Sequence, residues 1–321
     1  MSGSTLVSVG LRAMNASYAA LQTTSHNIAN ASVEGYSRQR VEVETSRSQY
    51  SGSGYFGLGV EVSTVTRAHD DFLTKEASTA SSLAAMDATH ADQLNRLEPI
   101  FSTGESGLGY TAMQFLNAMV DVAARPQDLA AREVVLSRAR DVASRFSSAG
   151  TQLDALQRGV TQDLQNSVGT VNGLAQRLAQ VNAQVAAAVG SGHTPNDLLD
   201  ERDRLIKQMS QFLQVSTMAS PDGTVGVFIA GGQKLVLGSE AGELTVIPDP
   251  SDSTRSALAM KDGPTSRVLP PSLLAGGSIS GLLKFQSDDL VQAGNYLGQM
   301  ARALSDRVNR QQALGVDLVG N

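Results

Sequence analysis

Cysteine is absent from the chain. That excludes a disulfide framework, a thiolate metal site and a cysteine nucleophile. It fits either a cytosolic protein or an exported one that avoids wrong crosslinks. Tryptophan is also absent and aromatics reach only 4%, so cores must be built from Ala, Leu and Val, which suits closely packed helices. No run approaches the ~18 apolar residues of a membrane span. The N-terminus lacks the basic region and apolar core of a cleaved signal peptide, so any export would be without one. Basic clusters are missing too. Arg38-Gln39-Arg40 is the densest, and the net charge is −6. Nucleic acid, whose recognition rests on phosphate neutralisation, is disfavoured as a partner.

What is present is periodicity. The 321 residues have room for two or three domains. Val7, Leu11, Met14, Tyr18, Leu21, Ser25 and Ile28 step by four and three, the heptad seam of a coiled-coil-type helix that asks for another helix along its length. The helix is expected over 5–31, with Ser4 as N-cap and Gly35 supplying the turn beyond it. Alternation near Val41 and Val43, and again at Val60, Val62 and Val65, predicts a two-stranded ribbon with a long Gly/Ser/Tyr loop at its tip. Residues 70–98 read as a helix with Phe72, Leu83, His90, Leu94 and Leu97 facing a core, stopped by Pro99. A short apolar helix follows over 110–124.

The longest pattern runs from 127 to 189, through Val160, Leu164, Ser167, Val171, Leu174, Leu178, Val181, Val185 and Ala188. About 60 helical residues would reach roughly 90 Å, so a rod-like bundle is expected, with a break near Gly150 or Gly159. Thr194-Pro195 restarts a helix with Thr194 as N-cap and Asp197 in its first turn. From 214 the pattern turns to short β runs separated by Asp222-Gly223 and Gly231-Gly232, and six of the nine prolines fall between 221 and 271. Helical spacing returns after Gly281 through Leu290, Gly294, Leu297, Ala301, Leu304 and Val308. The fold class is therefore mainly α with an inserted small β domain. The expected parts are an N-terminal assembly helix over 1–36, a β-ribbon linker over 37–69, an elongated helical bundle over 70–213 plus 272–321, and the β domain over 214–271. No second free helix is evident to cover the 7–28 seam, so its partner is expected to be another molecule or a segment beyond this chain.

Chemistry-bearing motifs are few. Gly52-Ser53-Gly54-Tyr55-Phe56-Gly57 spells a dinucleotide loop, but a β-like run follows where a helix N-terminus is needed. His69-Asp70-Asp71 are adjacent and would splay around a helix start rather than converge on a metal. No lipase-type, zincin, P-loop or EF-hand motif occurs. The chain reads as a structural protein without catalytic, cofactor or metal residues.

Leu11-Arg12-Ala13-Met14 through Ser25-His26-Asn27-Ile28-Ala29-Asn30, then Gly35-Tyr36-Ser37-Arg38-Gln39, resembles the N-terminal signature of the bacterial flagellar rod, hook and hook-associated axial proteins. Gly57-Leu58-Gly59-Val60-Glu61-Val62 with Arg67, Asp71, Phe72 and Leu73 is similar to that family's next block. Pro126 to Arg132, Pro195 to Asp203, and Gly281 to Leu283 with Asp288-Asp289-Leu290 and Gly315 to Leu318 resemble its hook-associated branch. The resemblance implies a self-assembling part of the extracellular flagellum at the hook–filament junction, exported by the flagellar type III pathway. The implied partners are further copies of itself, the hook protein, hook-associated protein 3, and the filament cap during assembly. An export chaperone would bind a C-terminal region that this chain lacks. It also implies C-terminal helices paired with the N-terminal one, and the chain is expected to stop just before them. A hook or rod protein, or a soluble coiled-coil adaptor, are the alternatives.

Overall fold

The computed structural model describes residues 3–50, 54–105, 107–191 and 194–315. The first helix, α1, runs Gly3–Asn30, so Ser4 lies inside its first turn and is not its cap. A ribbon follows. β1 (Gln39–Thr45) pairs antiparallel with β4 (Val60–Arg67), with a bulge at Glu42/Val43, and a small hairpin of β2 (Gln49–Tyr50) and β3 (Tyr55–Phe56) sits at its far end. Tyr55 and Phe56 of the dinucleotide-like string therefore belong to a hairpin, while Gly52 and Ser53 lie outside the described residues.

Next come α2 (Asp71–Leu97), a 3-10 turn over Glu98–Phe101 that carries Pro99, α3 (Leu108–Ala124) and α4 (Leu129–Gly190). Asp70 caps α2, its carboxylate accepting the Leu73 N–H at 3.0 Å. Helix α4 is 62 residues long, about 93 Å, and it does not break at Gly150 or Gly159. Ala149, Leu153 and Val160 are buried on either side of those glycines. Anchoring of this kind outweighs the ~1 kcal/mol per glycine that helix propensity costs. The expected stripe is the buried one: Val160, Leu164, Val171, Leu174, Leu178, Val181 and Val185 are almost solvent-free, with Ser167 and Ala188 half-buried. His193 lies outside the described residues. Helix α5 (Asn196–Ser210) has Pro195, not Thr194, at its N-cap.

The chain divides into two compact units, Met1–Ser82 with Thr170–Glu243, and Leu83–Gly169 with Leu244–Asn321. In the first, β5 (Ser216–Ala219), β6 (Val225–Ile229), β7 (Gln233–Leu237) and β8 (Glu240–Ala241) form an antiparallel sheet in sequence order. Asn182 of α4 ties it down: its amide donates to the Val225 and Gly238 carbonyls at 2.9 Å each and accepts the Val225 N–H at 3.2 Å. In the second unit, β9 (Leu244–Asp249), β10 (Asp252–Asp262) and β11 (Thr265–Val268) form a separate sheet of order β11-β10-β9. The β segment expected over 214–271 is thus two sheets, and the division between units passes between them. Strands β10 and β11 have no counterpart in the sequence reading. Residues 256–260 of β10 are buried without interruption, so they show no alternation, and Ala and Met are weak strand formers.

The second unit closes with α6 (Ser278–Lys284), a π-helical turn over Phe285–Leu290, and α7 (Val291–Gln312). Helix thus resumes three residues before Gly281. The π turn brings Gln286 against Ser256 of β10: its Oε1 accepts the Ser256 N–H and its Nε2 donates to the Ser256 carbonyl, at 2.9 Å each, while Gln157 of α4 also donates to Gln286 Oε1 at 2.8 Å. The core face of α2 also differs from expectation. Phe72 is 69% exposed, and Leu83 and Leu94 face outward, whereas Ser82 and Gln93 are buried. The reason is close packing: a Cβ at Gly281 would stand 2.5 Å from the Met86 carbonyl oxygen and 3.2 Å from Thr89 Cβ. Small residues on α2 admit that approach, and large ones do not. His90 joins the contact by pairing with Asp289 at 2.6 Å. Leu318-Val319-Gly320-Asn321, expected to form a Gly-containing loop, lie outside the described residues.

Gly281→Ala is expected to destabilise the chain by about 1–3 kcal/mol, because backbone stands in the way. Gly294→Ala, where nothing lies within 4 Å, is expected to stabilise by roughly 0.5–1 kcal/mol. Denaturant melts of both variants check this. Equal shifts of the same sign would contradict it.

Candidate functional site: the N-terminal helix and its polar joint

Helix α1 is two-faced. Every residue of the seam is exposed: Val7 71%, Leu11 55%, Met14 66%, Tyr18 70%, Leu21 68% and Ile28 74%, with Ser25 exposed among them. Its opposite face packs on β1 and β4, with Ala16 buried there and the Arg12 guanidinium donating to the Ser46 hydroxyl. The helix is therefore not a free arm. It is fixed by its back, and no described residue covers its apolar front.

The signature residues make the fixing joint. Asn27 Nδ2 donates to the Gln39 carbonyl at 2.8 Å, and Asn27 Oδ1 accepts the Gln39 N–H at 2.8 Å. A side-chain amide thereby takes the place of a neighbouring strand at the edge of β1. Such an edge would otherwise leave both backbone groups bare. Tyr36 donates its hydroxyl proton to Asn27 Oδ1 at 2.6 Å. With that proton committed, His26 Nδ1, 3.1 Å from the Tyr36 oxygen, is the donor in its own contact. Asn30 turns back to the His26 carbonyl at 3.0 Å. Ile28 and Ala29 point outward. Gly35 has φ +82°, and a Cβ there would lie 3.3 Å from Arg204 Cβ. Both the turn and the close approach call for glycine.

The joint continues onto α5. The Ser37 N–H donates to Asp200 Oδ2 at 3.0 Å, and Gln39 Nε2 to Asp197 Oδ1 at 3.1 Å. Arg67, at the end of β4, places Nη1 2.7 Å from Asp200 Oδ1 and 2.8 Å from Asp203 Oδ2, with its side chain 8% exposed. Asn196 Nδ2 donates to the Val65 carbonyl at 2.7 Å. His69 stands 3.0 Å from Asp71 and 3.6 Å from Asp203. It stands between two carboxylates, and no group of three or more metal-ligating side chains occurs among the described residues. Lys207 pairs with Glu34 at 2.9 Å and holds that carboxyl below its usual range. Burial, and then the carboxylates of Asp200 and Asp197, push the Tyr36 phenol above its ordinary value. Arg38 is exposed, its carbonyl accepting the Ala68 N–H at 2.8 Å.

Three sequence blocks thus meet at one place: 25–39, the ribbon end at Arg67, and 195–203. The sequence reading marked each block but not their meeting. The ion pairs of Arg67 with Asp200 and Asp203, and the role of Asn27, carry no local signal beyond the polarity of residues flanking apolar patterns.

Residues 8–36, the helix and its turn, match the family model of the flagella basal body rod protein. Residues 94–321 match that of the flagellar hook-associated protein FlgK helical domain, and the chain belongs to this FlgK family. It is 33% identical over 321 residues to flagellar hook-associated protein 1 of Salmonella typhimurium, covering 99% of this chain and 58% of that protein. The corresponding protein of Bacillus subtilis is 30% identical over 297 residues, covering 85% and 58%. The chain thus spans a little over half the length of these relatives. Among solved structures, the flagellar hook junction protein FlgK from Burkholderia pseudomallei is similar with a TM-score of 0.73 and 31% identity, over 77% of this chain and 45% of that one.

Asn27→Ala is expected to free the Gln39 N–H and carbonyl, weakening the joint by about 1–3 kcal/mol. Amide exchange at Gln39 should rise while that at Leu178 in α4 stays slow. Unchanged protection at Gln39 would reject the clamp. A second test uses pH. A phenol whose folded pKa is raised keeps its full contribution below the unfolded value, about 10, and loses it as pH rises through the folded pKa. The stability difference between the parent and Tyr36→Phe, about 1 kcal/mol, should hold constant to about pH 10 and shrink above it. A difference that stays flat well beyond pH 10 would contradict this.

Proposed function

We propose that this chain is the assembly-competent portion of a structural protein of the bacterial flagellum, acting at the junction between hook and filament. The observation that carries the reading is the two-faced α1: one face is spent on the ribbon, and an exposed seam of seven heptad positions, all apolar in character but Ser25, is left for another helix. A seam residue contributes ~1.5–3 kcal/mol only when it becomes buried. The stripe thus stores association energy that is released on assembly. Membership of the FlgK family and the relatives' names support the place in the flagellum.

In this reading the seam receives a helix from a neighbouring subunit or from the part of the relatives' length that this chain does not span. Hook protein lies on one side and hook-associated protein 3 on the other, with the filament cap present while subunits add. Location is extracellular, after export through the flagellar type III pathway without a cleaved signal. An export chaperone would act on sequence outside this chain. Tethering of α1 by Asn27 and Tyr36 means that assembly orders side chains and a partner, not a whole free helix, which lowers the entropy cost of about 1–2 kcal/mol per backbone residue.

Deleting the gene in its host should leave normal hooks without filaments and release flagellin into the medium. Complementation with Leu21→Asp should reproduce that phenotype, while the purified variant melts like the parent, because an exposed position shifts stability by no more than about 0.5 kcal/mol. Intact filaments in the deletion strain would end the flagellar reading. Full rescue by Leu21→Asp would end the seam's part in it.

A further inference from the structure

Two features of the first unit lie beside the joint and the seam and are not explained by them. One is the tip of the ribbon. Tyr50 and Tyr55 are 62% and 76% exposed and touch each other, ring centroids 5.3 Å apart, with Phe56 exposed beside them. Aromatics are scarce in this chain, and three gathered on an exposed hairpin are the make-up of a contact anchor. The other is a groove of about 760 Å³ between α1 and β1. Its walls are apolar at Ala20, Ile28 and Val41, polar at Thr24, and cationic at Arg38 and Arg40. Arg38 is exposed and has no ion pair among the described residues. Arg40 has only an exposed contact to Glu42 at 3.6 Å.

We infer that the aromatic tip of one copy of this chain seats in the α1–β1 groove of a neighbouring copy, with its tyrosine rings over the Arg38 and Arg40 guanidinium groups. The chemistry matches. A tyrosine offers an apolar body, a negative ring face and a polar end, and the groove offers apolar walls, cations and hydroxyls. Guanidinium over an aromatic face is attractive even at partly exposed sites. The tip cannot reach its own groove, because the groove is lined by the start of β1 and the tip lies beyond its end. The six steps from Gln39 to Thr45 hold the two about 20 Å apart. The contact is therefore made between copies, and when each copy's tip enters the groove of the next it propagates into a ring or a helix. Ile28 belongs to both the groove and the seam, which puts the two contacts side by side. This inference rests on the assembly reading above and adds the surface by which successive copies meet.

These 321 residues hold no cysteine, so any thiol within them is an introduced one. Tyr55→Cys and Thr24→Cys are placed together, and each alone, in the full-length protein carried by the flagellated host. Isolated flagella are then treated with a short bifunctional thiol reagent. The double variant should give dimers and higher multimers, and each single variant monomer only. Adding Arg38→Ala with Arg40→Ala should lower the crosslinked fraction about fivefold, whereas lysine at both positions should retain most of it. Tyr50→Cys with Ala20→Cys repeats the measurement where the first pair does not enter flagella. Protein present in flagella but uncrosslinked in either pair overturns the inference and leaves the junction reading standing. Absence of the unaltered protein from flagella overturns both.

Discussion

The pairing of one carboxamide with one backbone residue sets the geometry of the N-terminal region. A helix the length of α1 carries an apolar stripe on one side and Ala, Thr and Asn on the other, and an isolated ribbon would bury the apolar side by preference. It does not, because Asn27 fits the edge of β1 through two hydrogen bonds that only a side-chain amide supplies together. Satisfying both polar groups of Gln39 avoids a desolvation cost of about 1–3 kcal/mol for each group left bare. The polar face is thereby drawn to the ribbon, and Val7 to Ile28 face outward. Gln39 fixes the amide's orientation, since its N–H needs the oxygen and its carbonyl the nitrogen, and Tyr36 adds a second donor to that oxygen.

Helix α5 carries the ribbon in turn. Asp197, Asp200 and Asp203 lie three residues apart, so they fall along one side of the helix and receive Gln39, the Ser37 N–H and Arg67 in order. Arg67 is buried with two carboxylates. Removal of one partner from such a cluster generally costs about 3–5 kcal/mol, although the whole cluster is not a large net source of stability. Its contribution is angular. Two fixed forks, one at Asn27 and one at Arg67, set the direction in which α1 leaves the ribbon and the ribbon leaves α5. A protein that presents a seam to a partner needs that direction held, since a misdirected stripe of the same hydrophobicity meets nothing.

Much of this was legible in the residues, and the reasons for the rest are physical. The 62-residue α4 stood out because its apolar spacing is long and regular, and burial from Val160 to Val185 follows that spacing. The seam was legible for the same reason. The face of α2 was not, because helix packing there is decided by close approach: Gly281 lies against the α2 backbone at Met86 and His90 and against Thr89, and periodicity of large residues points the wrong way. Strand β10 was hidden by burial on both faces, which erases the alternation that announces a strand. The polar joint was hidden differently. Asn27, Arg67 and Asp200 are far apart in sequence, and nothing local to any of them says which polar residues will be buried together.

The fold accordingly separates two tasks. Hydrophobic packing along α4 from Ala149 to Val185 contributes to the core of each unit, while hydrogen bonds and ion pairs between short polar segments aim a helix outward. In the proposed function, energy left unspent on the front of α1 becomes the energy of assembly. Hydroxyl-radical footprinting of Met14 and Tyr18, in the free chain and in isolated flagella, tests this most directly. Both side chains should react rapidly in the free chain and become protected in the flagellum, with buried Leu178 unreactive in each. Equal reactivity of Met14 and Tyr18 before and after assembly would contradict the account.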